Sequence, residues 1–143
     1  MKINTVKFGE IDIDEKRIFK FTLPIIGFNE LKDFILLDIN KDSFFKWLQS
    51  IEDPALAFPV VSVFSMNVDY SIDLPDNVIE ALKIQSAENL LVMNIASIPQ
   101  DDPHGTTINL LAPIIFNLDE LLAGQVVLSG SGYDISFPMF KKN

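Results

Sequence analysis

Cysteine is absent from this chain of 143 residues, and histidine occurs only once, at His104. The lack of cysteine excludes disulfides, thiolate metal sites and a cysteine nucleophile. A single histidine excludes metal sites built on several histidines, and it removes most general acid–base schemes because histidine is the usual proton carrier. His104 itself lies between Pro103 and Gly105, in a predicted exposed turn. We therefore predict a protein that is not an enzyme, with no catalytic residues, no cofactor and no metal.

Long apolar runs and signature loops are also missing. The longest apolar run, residues 110–116, is far shorter than the ~18–20 residues that span a bilayer. Residues 1–10 mix charges with apolar residues and contain no apolar stretch of the kind found in signal peptides. Neither a phosphate-binding glycine loop nor a Gly-x-Ser-x-Gly elbow is present. The expected location is the bacterial cytoplasm, away from the membrane.

Positive charge is scarce in most of the chain. Residues 1–46 carry eight basic and eight acidic residues, whereas residues 47–140 carry twelve acidic residues and a single basic one, Lys83. Direct binding of nucleic acid is therefore not expected, because it depends on cations that meet phosphates. A negative field keeps a protein soluble and also steers basic partners towards it, and composition alone leaves both roles open.

Short apolar and alternating segments fill the chain and predict nine or ten strands. The clearest alternation places Val68, Tyr70 and Ile72 between polar residues. A helix is predicted to follow it and to end near Lys83, with Asp73 as its cap and Pro75 in its first turn. A final hairpin is predicted from residues 125–128 and 133–137. This pattern favours a mostly β fold, a barrel or a sandwich, in one domain over residues 1–143.

Three polar residues lie within or at the end of apolar segments and are interpreted as structural. Gln49 and Ser50 end a predicted strand, where such side chains satisfy main-chain groups. Asn109 lies between Ile108 and Leu110 and must be hydrogen bonded if it is buried.

Several motifs follow one another along nearly the whole chain. They include Phe21-x-x-x-Ile25-x-Gly27-Phe28, Leu48-Gln49-Ser50, Asp53-Pro54-x-Leu56-Ala57-Phe58, Asn109-Leu110-x-Ala112-Pro113-Ile114 and Gly124-Gln125-Val126-Val127-Leu128. In this order they resemble the flagellar assembly factor family, FliW. The sequence departs from the family pattern at Pro24, where glycine is usual, and at Ile26, where proline is usual.

The resemblance implies a single antiparallel β-barrel domain with one or two short helices and a regulatory function without chemistry. Such proteins bind the RNA-binding translational repressor CsrA, which relieves repression of flagellin translation, and they bind flagellin as a competing partner. We place the candidate partner contacts on the acid-rich part of the chain, at Asp69, Tyr70, Asp73, Asp76 and Glu80. The motif residues read first as structural are Gln49, Ser50, Phe58, Asn109, Pro113 and Gln125.

Two other functions are kept as alternatives. A small-molecule-binding β-barrel would contain a closed apolar cavity of about 300 Å³ or more. A hydrolase would need two carboxylates facing each other across a cleft.

Overall fold

The computed structural model describes residues 1–41 and 43–140. Most of its regular structure is β-sheet, and its one α-helix, α1, spans Asp76–Ala81. The strands are β1 Lys2–Thr5, β2 Gly9–Asp12, β3 Ile18–Leu23, β4 Asp33–Leu37, β5 Lys46–Ser50, β6 Ala57–Val61, β7 Leu90–Ser97, β8 Thr107–Ile108, β9 Ile114–Asn117, β10 Leu122–Gln125 and β11 Phe137–Pro138. Short 3-10 turns cover Glu15–Arg17, Val63–Ser65, Ala87–Asn89 and Pro103–Gly105. In the described part of the chain, no helix is long and apolar enough to cross a bilayer.

Seven strands form a closed barrel in the order β3, β4, β5, β6, β7, β9 and β10. Neighbours in this ring are antiparallel except at the closure, where β10 lies parallel to β3. The register shifts at this closure between Ala123 and Gly124. A β-carbon on Gly124 would lie 2.6 Å from that of Leu23, so close approach of the two strands requires glycine here. The prediction of a mostly β barrel is confirmed.

The barrel interior is filled by aromatic side chains. Phe21, Phe34 and Phe116 are at most 1% exposed, and Phe19 packs edge-on against Phe116 with 4.8 Å between the ring centroids. We call this set the inner cluster, and it also contains Ile25, Leu48, Val60, Met93, Ile114 and Ala123. Edge-to-face pairs of this kind add to the stabilisation from burial itself.

A second apolar cluster covers the outer face of the barrel over β7 and β9. It joins side chains of those strands to residues of α1 and of the loops around residues 61–74 and 126–139. We call it the outer layer; its buried members are Val61, Val63, Tyr70, Val78, Leu82, Ile108, Leu110, Ile115, Val126 and Leu128.

The clearest alternation in the sequence does not form a strand. Residues 67–75 are extended without a ladder, although Tyr70 is buried and Asp69 and Ser71 are exposed. The prediction of a strand here is wrong, because the alternation reflects burial of one face against the outer layer and not pairing with another strand. The Tyr133 hydroxyl serves Ser71 as a neighbouring strand would, since it accepts from the Ser71 N–H at 2.8 Å and donates to its carbonyl at 3.2 Å.

Two further predictions are corrected at the chain's later turns. The first turn of α1 has Pro75, not Asp73, as its capping residue, and the helix ends at Ala81. The expected hairpin of residues 125–128 and 133–137 is absent from the described residues. Instead, the N–H of Val126 donates to the Pro113 carbonyl, and the N–H of Leu128 donates to the Leu111 carbonyl. Apolar runs identify extended chain, but they do not identify the strand it pairs with.

Candidate protein-binding surface

Helix α1 and the extended segment before it carry four exposed carboxylates on the outer layer. Asp69 and Asp73 lie on the segment, and Asp76 and Glu80 lie on the helix. None of the four takes part in an ion pair with the residues that the structure describes. Lys83, the single basic residue of the acid-rich part, follows the helix directly in a left-handed conformation with φ of 52°. No described cation therefore forms an ion pair with these carboxylates.

Tyr70, the fifth predicted contact residue, lies beneath this surface. It is 7% exposed, its hydroxyl donates to the carbonyl of Leu110 at 2.6 Å, and it accepts from the Asn94 amide at 3.2 Å. Burial raises the pKa of the Tyr70 phenol, opposed by its hydrogen bond with Asn94. The Tyr70 and Tyr133 rings meet edge to face, with centroids 4.7 Å apart. Tyr70 thus anchors the acidic segment to the barrel, and the four carboxylates remain as the exposed candidates.

An apolar groove opens beside Asp73, one of these carboxylates. Its deeper part has a volume of about 440 Å³ and is lined by Ser62, Phe64, Ile72, Leu74, Ala87, Leu90, Leu91, Val92 and Ile115. A shallower part of about 340 Å³ shares Ile72, Leu74, Ala87 and Leu90 with it and extends to Asp73, Ile79 and Ile84. We call the two parts together the acidic groove. Large side chains are exposed in it, Phe64 by 53% and Ile79 by 36%.

No pattern in the sequence predicts the acidic groove. Phe64 gives no periodic signal because it belongs to a 3-10 turn. Leu90 and Val92 belong to a strand that was predicted, but the sequence does not show that their outer face is incompletely covered. Exposed apolar side chains next to uncompensated charge are typical of a surface that binds another protein.

The strand-ending motif residues hold the turn between β5 and β6. Gln49 is fully buried, and its amide donates to the carbonyls of Ser50 and Leu56 at 3.0 and 3.1 Å. The Ser50 hydroxyl accepts from the Asp53 N–H at 2.9 Å. Phe58 packs edge-on against Phe28, with the ring centroids 5.3 Å apart. All three are placed where they hold the barrel and not on the acidic groove.

The remaining motif residues, Asn109, Pro113 and Gln125, hold the loops that precede β9 and follow β3 and β10. The Asn109 side chain accepts from the Ala112 N–H at 3.0 Å, and the Pro113 carbonyl accepts from the Val126 N–H at 2.9 Å. The Gln125 side chain donates to the Ala112 carbonyl at 3.1 Å and accepts from the Ile26 N–H at 2.8 Å. Proline, which is usual at position 26, has no N–H for this bond.

The structure bears on one of the two alternative functions, the small-molecule-binding barrel. The inner cluster occupies the barrel interior, which is the space where a small-molecule-binding barrel would hold its ligand. Within residues 1–41 and 43–140, no three histidine, aspartate or glutamate side chains converge as a metal site would require. His104 lies in an exposed turn against Phe140, with 5.2 Å between the ring centroids.

Comparison with known proteins identifies the family. The model of the FliW protein family matches residues 2–139. A flagellar assembly factor FliW from Clostridium tetani is 39% identical over 99% of this chain and 97% of its own length. Another, from Pseudothermotoga lettingae, is 41% identical over 93% of this chain and 85% of its own length. A crystal structure of the flagellar assembly factor FliW superposes with a TM-score of 0.91 at 37% identity and covers 99% of both chains. The chain therefore belongs to the FliW family of flagellar assembly factors.

Proposed function

We propose that this flagellar assembly factor binds the RNA-binding translational repressor CsrA and thereby relieves repression of flagellin translation. Flagellin binds the assembly factor as a competing partner. Free flagellin therefore releases CsrA, which again represses translation of the flagellin message. The function is exercised in the cytoplasm, where flagellin is translated, and it requires no catalysis. The observation that carries the proposal is the acidic groove, where exposed apolar side chains meet the carboxylate of Asp73. Three further exposed carboxylates lie nearby along the chain, and none of the four has an ion-pair partner among the described residues.

Charge supports a basic partner. A protein that binds RNA presents cations for phosphates, and the same cations are attracted by Asp69, Asp73, Asp76 and Glu80. Each exposed ion pair contributes only about 0–1 kcal/mol, so charge alone sets the association rate more than the affinity.

Affinity therefore has to come from apolar anchors, and the acidic groove offers places for them. A few buried apolar contacts dominate the energetics of most protein interfaces. The exposed ring of Phe64 and the side chains of Ile72 and Leu74 lie in the groove. A partner that covers them would gain roughly 25 cal/mol for each Å² of apolar surface removed from water.

The first experiment is titration calorimetry of the chain against purified CsrA from the same genome at two salt concentrations, with flagellin added as competitor. Tight binding that weakens with salt and is displaced by flagellin supports the partner exchange. Binding without displacement keeps the antagonism and contradicts competition by flagellin. No binding to either protein overturns the proposal.

A matched pair of charge variants tests where CsrA binds. Asp73→Lys with Glu80→Lys reverses one carboxylate that lines the acidic groove and one exposed on α1, and we expect at least tenfold weaker binding of CsrA at low salt. Glu30→Lys with Asp101→Lys makes the same change in net charge at exposed positions outside the groove. Equal binding by the two double variants would place the interface elsewhere.

A further inference from the structure

Strand β7 has an edge that its neighbour leaves uncovered. At its first four residues β7 pairs on one side with β9, from Leu90 opposite Asn117 to Met93 opposite Ile114. On its other side, pairing with β6 is limited to Ile95 and Asn94, because β6 ends at Val61. The chain then enters the 3-10 turn Val63–Ser65 and leaves the sheet.

The direction of the main-chain groups follows from alternation along the strand. The carbonyl of Asn89 accepts from the N–H of Leu118 at 2.9 Å, so residue 89 faces β9. In an antiparallel strand successive residues direct their N–H and C=O groups to opposite sides. Leu91 and Met93 therefore face β9, and Leu90 and Val92 face the side from which β6 has departed.

Val92 lacks a partner on that side. Beyond the strand ladders, the hydrogen bonds between described residues include none made by the N–H or C=O of Val92. If β6 continued past Val61, Val63 would lie opposite Val92. The Val63 carbonyl instead accepts from the Met66 N–H at 2.9 Å. Val92 also lines the deeper part of the acidic groove, together with Ser62 and Phe64. The groove thus offers an open main-chain edge as well as apolar side chains.

We propose that the acidic groove binds an extended segment of the basic partner as an added strand along Leu90 and Val92. Main-chain groups of the segment would pair with Val92 and with the carbonyl of Leu90, whose N–H is already bonded to Ala87. Alternate side chains of the segment would enter the groove between Phe64 and Leu74. The identity of the partner as CsrA rests on the proposed function.

Charge complementarity decides the chemistry of the segment. The part of the chain between Ser62 and Val92 carries the carboxylates of Asp69, Asp73, Asp76, Glu80 and Glu88 against the single cation of Lys83. A segment with apolar residues at alternate positions and lysine or arginine beside them fits this surface. A second copy of this chain fits poorly, since its net charge is −9.

Amide hydrogen exchange followed by NMR tests the added strand at one atom. We expect the Val92 amide to exchange at least tenfold more slowly when the chain is saturated with purified CsrA. The Gly130 amide, in a turn outside the acidic groove, is the internal control and should not change. CsrA binding without protection of Val92 would overturn the added strand and leave the proposed function standing. No binding of CsrA would overturn both.

Two further outcomes separate the occupants of the groove. Protection of Val92 that appears when the chain is concentrated alone would indicate a second copy and contradict the proposal. Protection by flagellin and not by CsrA would assign the edge to the competing partner, which also contradicts it.

A pair of phenylalanine variants tests the side-chain half of the inference. Phe64 is 53% exposed in the groove, and Phe44 is 75% exposed in the loop between β4 and β5. We expect Phe64→Ala to weaken CsrA binding about tenfold and Phe44→Ala to change it less than twofold. Equal affinities for the two variants would overturn the role of the groove.

Discussion

The inner cluster and the outer layer are of similar apolar content, but they are held together in different ways. Side chains of the inner cluster come mainly from strands of a closed ring, so hydrogen-bonded ladders fix their positions. The outer layer joins strand residues such as Ile115 to loops and one short helix, and side chains such as Tyr70 and Tyr133 attach the loops. The acidic groove and the carboxylates of Asp69, Asp73, Asp76 and Glu80 belong to the outer layer, which strand ladders fix less completely.

The largest effect is expected from a truncation inside the barrel. Phe116→Ala removes a fully buried ring that packs against Phe19 and Phe21. The free energy of unfolding should fall by about 3–5 kcal/mol, measured by urea denaturation. Phe44→Ala, at an exposed position, should change it by at most about 0.5 kcal/mol. A loss below about 1 kcal/mol in Phe116→Ala would contradict the description of the inner cluster as tightly packed.

A smaller effect is expected from the anchor of the outer layer. Tyr70→Phe removes the buried hydrogen bonds that the Tyr70 hydroxyl makes with the Leu110 carbonyl and the Asn94 amide. The free energy of unfolding should fall by about 1–3 kcal/mol. Tyr133→Phe removes exposed bonds to Ser71 and should cost about 0.5–1.5 kcal/mol. If Tyr133→Phe lowered the free energy of unfolding more than Tyr70→Phe does, the exposed Tyr133 bonds and not the buried Tyr70 bonds would be the main attachment of the outer layer.

The buried phenol also makes stability depend on pH. Burial raises the pKa of Tyr70 above its ordinary value of 10.0, so the folded state holds this proton more tightly than the unfolded state does. The Tyr70 contribution to stability is therefore intact below pH 10 and is lost as the pH rises through the raised folded-state pKa. Urea unfolding of the wild type and of Tyr70→Phe, compared from about pH 8 to about pH 11, should show a steeper decline in the wild type. Parallel curves would contradict this account.

The smallest effect on stability is expected at the surface where we propose that CsrA binds. Asp73→Lys with Glu80→Lys changes exposed groups without ion-pair partners among the described residues, so stability should move by at most about 0.5 kcal/mol. The same variant is expected to lose affinity for CsrA. A loss of stability similar to that in Tyr70→Phe would mean that these carboxylates hold the outer layer together.

Sequence patterns predicted the barrel far better than the outer layer. Apolar runs such as Phe34–Leu37 and alternation within strands are local signals, and they identified the strands of the barrel. Segment 68–72 carries the strongest alternation in the chain, yet it lies outside the sheet because its partner is the hydroxyl of Tyr133 and not a strand. Long-range partners of this kind leave no periodic signal.

The sequence predicted the carboxylates of the candidate site, but it did not predict the groove or the open strand edge. The concentration of carboxylates beyond residue 46 is visible in the sequence, and four of the five predicted contact residues are exposed. Tyr70 is buried, which neither its neighbours nor its alternation could decide. The open edge at Val92 depends on where β6 ends relative to β7, which is a property of register that a single sequence does not encode locally.

The parallel closure of the barrel has a consequence for how the chain is made. Strands β3 and β10 meet only after the ribosome has translated beyond residue 125, since the bond from Ile26 to Gln125 joins residues 99 positions apart. Until β10 emerges from the ribosome, β3 has a free edge and the inner cluster lacks Ala123 and part of its wall. Contacts so distant in sequence are closed late and slow the folding of β-rich domains. A nascent chain therefore cannot close its barrel or complete its inner cluster before β10 has left the ribosome.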